Sequence, residues 1–295
     1  MFLKKSWAAF SKVKQTPEKE QQNKYQTLPK NSMSGYTQKL ASAGHTKNLE
    51  NKMKVTFPAG KSGMIAVYDG LLAENWCSSL IQKLQPVYDL ISFDGQTMDG
   101  VQKAIKRTSD LPFVNMELLN SNGLSWESDF KKVDEAIVEG IKTALSHYMQ
   151  QYRALHSLVF PVDSGFNIQR YTKNEGFYRE HVDCVPWDTS SNNRILAAVV
   201  YLNTVEHGGH TNFPLHGVSV APVVGRIVLF PTAWTHPHEG CPAFSEDRWL
   251  INTFIMSGLV DSIQPSNTPI PHNHDHDHDH DHFDPTDEFE WQNQG

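Results

Sequence analysis

The stretch YREHVDC, residues 178–184, sets His181 two residues before Asp183. In an extended chain, residues i and i+2 project from the same face. An imidazole nitrogen and a carboxylate oxygen therefore leave such a strand together. A downstream histidine would complete a set of two histidines and one carboxylate on one face of an octahedral Fe(II) ion, with the other positions open. Alone, His-x-Asp says little, because most such tripeptides are ordinary surface residues. It gains weight from the residues downstream. The segment GRIVLFPTAWTH, residues 225–236, reads as a strand running into two histidines, His236 and His238, separated only by Pro237. Asp247-Arg248-Trp249 opens a further strand, in which Arg248, Leu250, Asn252 and Phe254 share one face. An arginine facing a barrel interior is costly unless paired. A carboxylate ligand suits it, because a guanidinium grips a carboxylate through two parallel hydrogen bonds. The competing reading of Arg248 is a surface residue in a salt bridge.

His207, His210 and His216 flank the pair Gly208-Gly209 and read as rim or surface residues in a loop. Cys184 and Cys241 lie close in sequence to the candidate ligands. Thiolates favour softer metals, so both read as packing residues, open to oxidation.

These side chains need a scaffold. Residues 64–84 read as a strand, an Asp69-Gly70 turn and a helix with Leu80, Ile81 and Leu84 at helical spacing. Residues 128–152 are the strongest helix candidate, because Phe130, Val133, Ile137, Ile141, Leu145 and Tyr148 recur at threes and fours. After about Leu158 the pattern changes. GFNIQRY, RILAAVVYLN, GRIVLFP and RWLINTFIM are strand candidates between Gly, Pro, Asn and Asp clusters. Helices followed by a dense series of strands predict one α+β domain whose catalytic half is a jelly-roll barrel.

The chain of 295 residues has room for one large domain or two small ones. Its net charge of -7 gives no global pull toward nucleic acid or anionic membrane. No apolar run approaches the roughly 20 residues that span a bilayer, and the N-terminus lacks the features of a secretory signal. Three cysteines argue against a disulfide framework and fit a reducing compartment, so a cytoplasmic location is expected. Residues 1–62 are Lys-rich, without Arg or Asp, and read as a disordered arm. Within them Phe2, Leu3, Trp7, Phe10 and Val13 offer an alternative, an amphipathic helix for a partner or membrane surface. Residues 261–295 include the alternating tract HNHDHDHDHDHFD, which cannot bury a core and reads as a disordered tail. Its imidazoles can collect divalent metal loosely, though a defined site needs fixed geometry.

Residues 164–256 resemble the Fe(II)/2-oxoglutarate-dependent dioxygenases, in the prolyl 4-hydroxylase-like branch. YTKNEGFYREHVD looks like that family's Tyr-loop-Tyr-x-x-His-x-Asp entry. VVYLN and GGHTNFP look like its next strand and its Gly-Gly-x-Thr-x-Phe segment. PHEGCPAFSEDRW looks like its distal His, a Pro four residues later and an Arg ten later. The resemblance implies a double-stranded β-helix, a jelly-roll variant, with supporting N-terminal helices over 63–157 and the core over 158–260. It implies that His181, Asp183 and one of the paired histidines hold Fe(II), and that Arg248 binds the distal carboxylate of 2-oxoglutarate. Tyr171 matches a tyrosine that hydrogen-bonds this co-substrate, and Tyr201 matches a second residue facing the same pocket. Counting back from Arg248 selects His238 as the third ligand, whereas counting forward from Phe230-Pro231 selects His236. The Arg248 count is the better anchor, because ligand and arginine must hold one small molecule between them. His236 is then a neighbouring or rim residue.

The implied activity uses O₂, converts 2-oxoglutarate to succinate and CO₂, and hydroxylates a substrate, with ascorbate as reductant. Asp183 fills a position that Ala or Gly would leave open to halide, which favours hydroxylation. Peptidyl proline is the leading substrate, and Trp187, Trp234 and Trp249 are candidates to line a groove for an extended peptide. A free amino acid or other small metabolite is the alternative. Two readings from other classes are a non-enzymatic metal-binding barrel that uses the tail as a store, and a zinc hydrolase with the same three ligands. Neither needs Arg248.

Overall fold

The computed structural model describes residues 51–97, 99–112, 116–158, 162–189 and 191–257. The candidate helix near the N-terminus, residues 1–50 of the arm and the His/Asp tail lie outside the described residues.

Fourteen strands among the described residues form two antiparallel sheets. From β7 (Asn167–Tyr171) onward the chain alternates between them. β7, β9 (Arg194–Tyr201), β12 (Ile227–Pro231) and β14 (Arg248–Met256) lie in the larger sheet. β8 (Phe177–His181), β10 (Thr211–Phe213), β11 (Val218–Val220) and β13 (His238–Gly240) lie in the smaller one. The spatial order β12-β9-β14-β7 faces the order β11-β10-β13-β8. This is the winding of a jelly roll, the double-stranded β-helix expected from the strand-rich second half.

β14 shows why the sequence folds this way. It pairs with β9 on one side and β7 on the other, so both of its edges are covered. Its odd residues Trp249, Ile251 and Ile255 are buried in the core beneath the helices. Its even residues Arg248, Leu250, Asn252 and Phe254 line a cavity between the sheets. The period of two seen in sequence thus separates a structural face from a functional one.

The remaining elements extend and brace this frame. α1 (Glu74–Leu84) follows β2 (Ala66–Asp69), as the strand-turn-helix pattern predicts. The turn between them is held by Arg226, whose guanidinium donates to both carboxylate oxygens of Asp69 at 2.9 and 3.0 Å. The long helix is α4 (Lys131–Gln151), preceded by α2 (Tyr88–Ile91) and α3 (Met116–Ser121). Val133, Ile137, Ile141, Ala144, Leu145 and Tyr148 form its buried stripe. Its expected first residues form a wider π turn instead, Trp126–Phe130. There Asp129 accepts hydrogen bonds from the Ser125 amide and the Lys83 ammonium, which hold the turn open.

Two sequence readings need correction. The arm does not extend to residue 62, because β1 (Lys54–Thr56) pairs with β2. Met53, Val55 and Phe57 pack against the core, an apolar alternation masked by the lysines around it. A 3-10 turn, Lys61–Gly63, follows, and the Tyr152 and Tyr148 hydroxyls donate to Lys61 and Met64 carbonyls, each at 2.6 Å. The segment before the double-stranded β-helix also holds more strands than the one expected there. β3 (Phe93–Asp94) and β5 (Ser109–Pro112) extend the larger sheet beyond β7, and β4 (Lys106–Arg107) extends the smaller one beyond β8. Strands of two to four residues carry too little periodicity to be read from sequence.

Tyr88 clamps this added edge to the barrel. Its buried hydroxyl lies 2.9 Å from the Ser109 carbonyl and 3.0 Å from that of Ile168, and its ring meets Trp249 edge-on. Tyr88→Phe deprives both carbonyls of this donor at the cost of about 1–3 kcal/mol. A urea melt should show a lower midpoint with an unchanged slope; an unchanged midpoint would remove Tyr88 from the stabilising contacts.

Candidate metal centre and active site

Strand register brings the candidate ligands together. His181 ends β8, His238 begins β13, and the two are paired across the smaller sheet. Asp183 lies two residues past β8. Its amide and that of Cys184 both donate to the Thr232 carbonyl, at 3.2 and 3.0 Å, which pins the loop to the end of β12. Arg194 donates to the Asp183 carbonyl at 3.1 Å.

The side chains then converge. His181 Nε2 lies 3.5 Å from one Asp183 carboxylate oxygen, and His238 Nε2 lies 3.4 Å from the other. His181 Nδ1 is 2.8 Å from the Arg179 carbonyl, and His238 Nδ1 is 3.2 Å from the His236 carbonyl. A carbonyl only accepts, so each Nδ1 carries a proton, and a ring with no second proton presents its Nε2 lone pair. Both Nε2 atoms are turned toward the same carboxylate. One donor atom from each residue lies within 4.8 Å of the others. Imidazole and carboxylate together, without thiolate, suit Fe(II). The donor set therefore fits such an ion.

Electrostatics agrees. Burial pushes the His238 imidazole down to about 4, against the opposing pull of Asp183. Burial alone would raise Asp183, but His238, His181 and Arg194 outweigh it and hold the carboxyl at about 2. At neutral pH His238 is thus uncharged and Asp183 ionised, the forms that bind metal.

The same cavity, about 290 Å³, reaches Arg248. This guanidinium is fully buried and has no carboxylate partner among the described residues. It stacks on Tyr171 at 3.6 Å and donates to the Gly209 and His210 carbonyls at 2.6 and 3.3 Å, while its Nε has no partner. The sequence reading did not single out Gly240, yet a Cβ there would meet Arg248 Nη2 at 2.7 Å and the Tyr171 ring at 2.9 Å. Its inward position two residues after His238 was the available signal. Tyr201 stands behind the cavity wall and donates to Thr211 Oγ1 at 2.6 Å; it is Thr211 that lines the space. Lys106 and Asp110 also line it, from short strands without sequence signal.

The structure separates the paired histidines. His236 is fully buried outside the cavity, with Nε2 3.0 Å from the Gly63 carbonyl and its ring stacked on His216. His207 is exposed and His210 half-buried. Cys184 and Cys241 are free and half-buried. Trp249 does not line a groove: it faces the helix-side core, as an odd residue of β14 must. Trp187 and Trp234 are 80% and 78% exposed.

Residues 166–256 match the family model for the 2OG-Fe(II) oxygenase superfamily. That stretch holds His181, Asp183, His238 and Arg248. A putative prolyl 4-hydroxylase of Acanthamoeba polyphaga mimivirus is 26% identical over 178 residues, 54% of this chain and 62% of that protein. The human prolyl 4-hydroxylase subunit alpha-3 is 33% identical over 97 residues, 27% of this chain and 17% of its own length. The chain thus spans less than two thirds of either relative. Among solved structures, a viral collagen prolyl hydroxylase from Paramecium Bursaria Chlorella virus-1, in its 2OG complex, is similar with a TM-score of 0.48 at 18% identity, over 69% of this chain and all of that one. A Pseudomonas putida prolyl-4-hydroxylase has a TM-score of 0.42 at 18% identity, over 76% of this chain and 98% of that one.

Two outcomes are expected. In chains lacking residues 270–295, so that the tail does not mask the result, His238→Ala should weaken Mn(II) binding more than about 100-fold. His236→Ala keeps the carbonyl that holds His238 and should weaken it less than about tenfold. Calorimetric titration that gives equal losses would contradict the assignment. Second, the depressed His238 value favours the folded state above its ordinary value near 6.5. That contribution is lost as pH falls from about 6.5 toward 4. Melting of the metal-free protein, compared with His238→Gln, reads the difference.

Proposed function

We propose that the chain is an Fe(II)- and 2-oxoglutarate-dependent dioxygenase that hydroxylates peptidyl proline. One observation carries the reading: three convergent metal-ligand atoms and a buried guanidinium without a counterion share one small cavity. A metal store or a zinc hydrolase has no use for that cation. The prolyl substrate rests on the sequence relatives, which are named as prolyl 4-hydroxylases.

When bound, iron and 2-oxoglutarate supply the oxidising chemistry, with O₂ consumed, succinate and CO₂ released and one oxygen delivered to a substrate carbon. The chain's own residues do the positioning. His181, Asp183 and His238 hold the metal, and the Arg179 and His236 carbonyls fix the two rings in the metal-binding tautomer. Arg248 grips the distal carboxylate of 2-oxoglutarate, Tyr171 supports its guanidinium, and Gly240 keeps the space beside both open. Val199, Phe230 and Leu250 present an apolar wall to the cavity. Ascorbate is the expected reductant, on the family resemblance. A reducing, cytoplasmic setting is supported by three cysteines that are all free. No helix among the described residues is long and apolar enough to cross a membrane. The His/Asp tail is assigned loose metal binding, and the catalytic unit is taken to begin at β1.

Arg248→Ala should raise the KM for 2-oxoglutarate while Mn(II) binding survives. Losing one side of a buried charge pair costs about 3–5 kcal/mol, roughly 10²- to several 10³-fold. Succinate release assayed across 2-oxoglutarate concentrations tests this. An unchanged KM would transfer the anchor to Arg194 or Lys106, the other cations on the cavity wall.

A further inference from the structure

The two candidate histidine ligands are packed differently. His238 is 7% exposed, and its ring lies against Phe230 and Phe213, with centroids 4.7 and 5.8 Å away. The His181 side chain keeps 15% exposure. Besides His238, one ring meets it among the described residues: Tyr178, stacked at 3.5 Å with 16° between the planes. The orientation of the His181 imidazole thus depends on what holds Tyr178. The Tyr88 and Tyr201 hydroxyls each donate a hydrogen bond, whereas that of Tyr178 has no partner among the described residues. Its ring packs at the margin of the apolar cluster that includes Phe213 and Phe230. Its register partner on β4 is Lys106, whose ammonium lies over the ring, 5.1 Å from the centroid. An ammonium is drawn to the electron density of an aromatic face, most strongly where water is excluded. Lys106 is buried.

The ammonium is itself fixed. It donates to Asp110 at 2.7 Å and to the Gln96 carbonyl at 3.4 Å. Asp110 is held in turn by Thr108 at 2.7 Å, Gln169 at 3.1 Å and Asn167 at 3.2 Å. Gly95 closes over the lysine stem: a Cβ there would meet Lys106 Cε at 2.9 Å and Thr108 Oγ1 at 2.0 Å. Stability does not account for this arrangement, because a buried ion pair contributes little that apolar side chains of equal volume would not. What the pair does provide is a cation at a set place, over the ring that packs on a candidate metal ligand.

We infer that Lys106 is a positioning residue for His181: its ammonium, fixed by Asp110, holds the Tyr178 ring flat on the imidazole and so sets the plane in which His181 turns Nε2 toward Asp183. The inference rests on the metal-centre reading for its purpose, but the first half of its test needs no metal.

A stacked aromatic ring shields the carbon-bound protons of its neighbour, so proton NMR of the metal-free full chain reads the Tyr178–His181 contact as an upfield shift. The His181 signals are those that vanish in His181→Gln. Lys106→Met keeps the length of the stem and removes the charge. It should shrink the upfield shift. It should also weaken Mn(II) binding, measured by calorimetry, about tenfold, the lower end of what losing a group behind a metal ligand costs. The His/Asp tail is the same in every variant, so differences between variants belong to the centre. In a Tyr178→Leu background the lysine change should alter Mn(II) affinity less than about twofold, because the link is already cut. Should Lys106→Met not fold, Lys106→Met combined with Asp110→Asn removes both charges together and carries the same expectations. An unmoved shift in the lysine variant, or an equal loss of Mn(II) affinity in both backgrounds, would overturn the inference. A reduced shift with Mn(II) affinity untouched by His181→Gln would uphold the link to His181 and sink the metal centre. Mn(II) affinity lost in His181→Gln but unmoved in Lys106→Met would do the reverse.

Discussion

A full positive charge sits at zero exposure between two sheets, and the geometry around it follows from keeping it there. Arg248 has no acid beside it among the described residues. It is held by a tyrosine face and two backbone carbonyls, which lessen the desolvation cost without cancelling the charge. Those contacts require Tyr171 opposite it in register, the Gly208-Gly209 turn close enough to offer a carbonyl, and a glycine at 240. A carboxylate entering the cavity completes an ion pair in a low-dielectric setting, where it is stronger than at a surface.

The candidate metal centre obeys a related rule, with backbone in place of side chains. Both imidazoles are oriented by carbonyls two residues earlier in the chain. The sheet that pairs His181 with His238 thus sets their separation and their tautomers at once. Asp183 is placed from the other sheet, through Thr232 at the end of β12. The three candidate ligands are positioned only when both sheets are in place.

Much of this was legible in the sequence because strand periodicity is strict. Alternation along RWLINTFIM separated Arg248 and Asn252 from Trp249 and Ile251 before any contact was known. His-x-Asp on a strand end and the spacing from His238 to Arg248 reflected the same constraint. What stayed hidden depended on neighbours distant in sequence. The strands around 93–112 are too short to show a period, so Lys106 and Asp110 gave no sign of reaching the cavity. Trp249 read as a groove residue from its type, though its parity put it in the core. The Lys-rich composition around β1 concealed three apolar side chains, because charge content averages over a window whereas packing follows individual positions.

That first strand leads into the Lys61–Gly63 turn, and the turn is more than a lid on the barrel's edge. Gly63 receives the His236 imidazole, and the His236 carbonyl receives the His238 imidazole. Tyr152, just past the long helix, donates to Lys61 in this turn, and Tyr148 of that helix donates to Met64 just after it. A mechanical linkage thus runs from the basic segment, through two backbone carbonyls and one buried ring, to a candidate metal ligand. Tension on the chain ahead of β1 would have this route to His238, beside the one through β2 and β12 to the cavity wall.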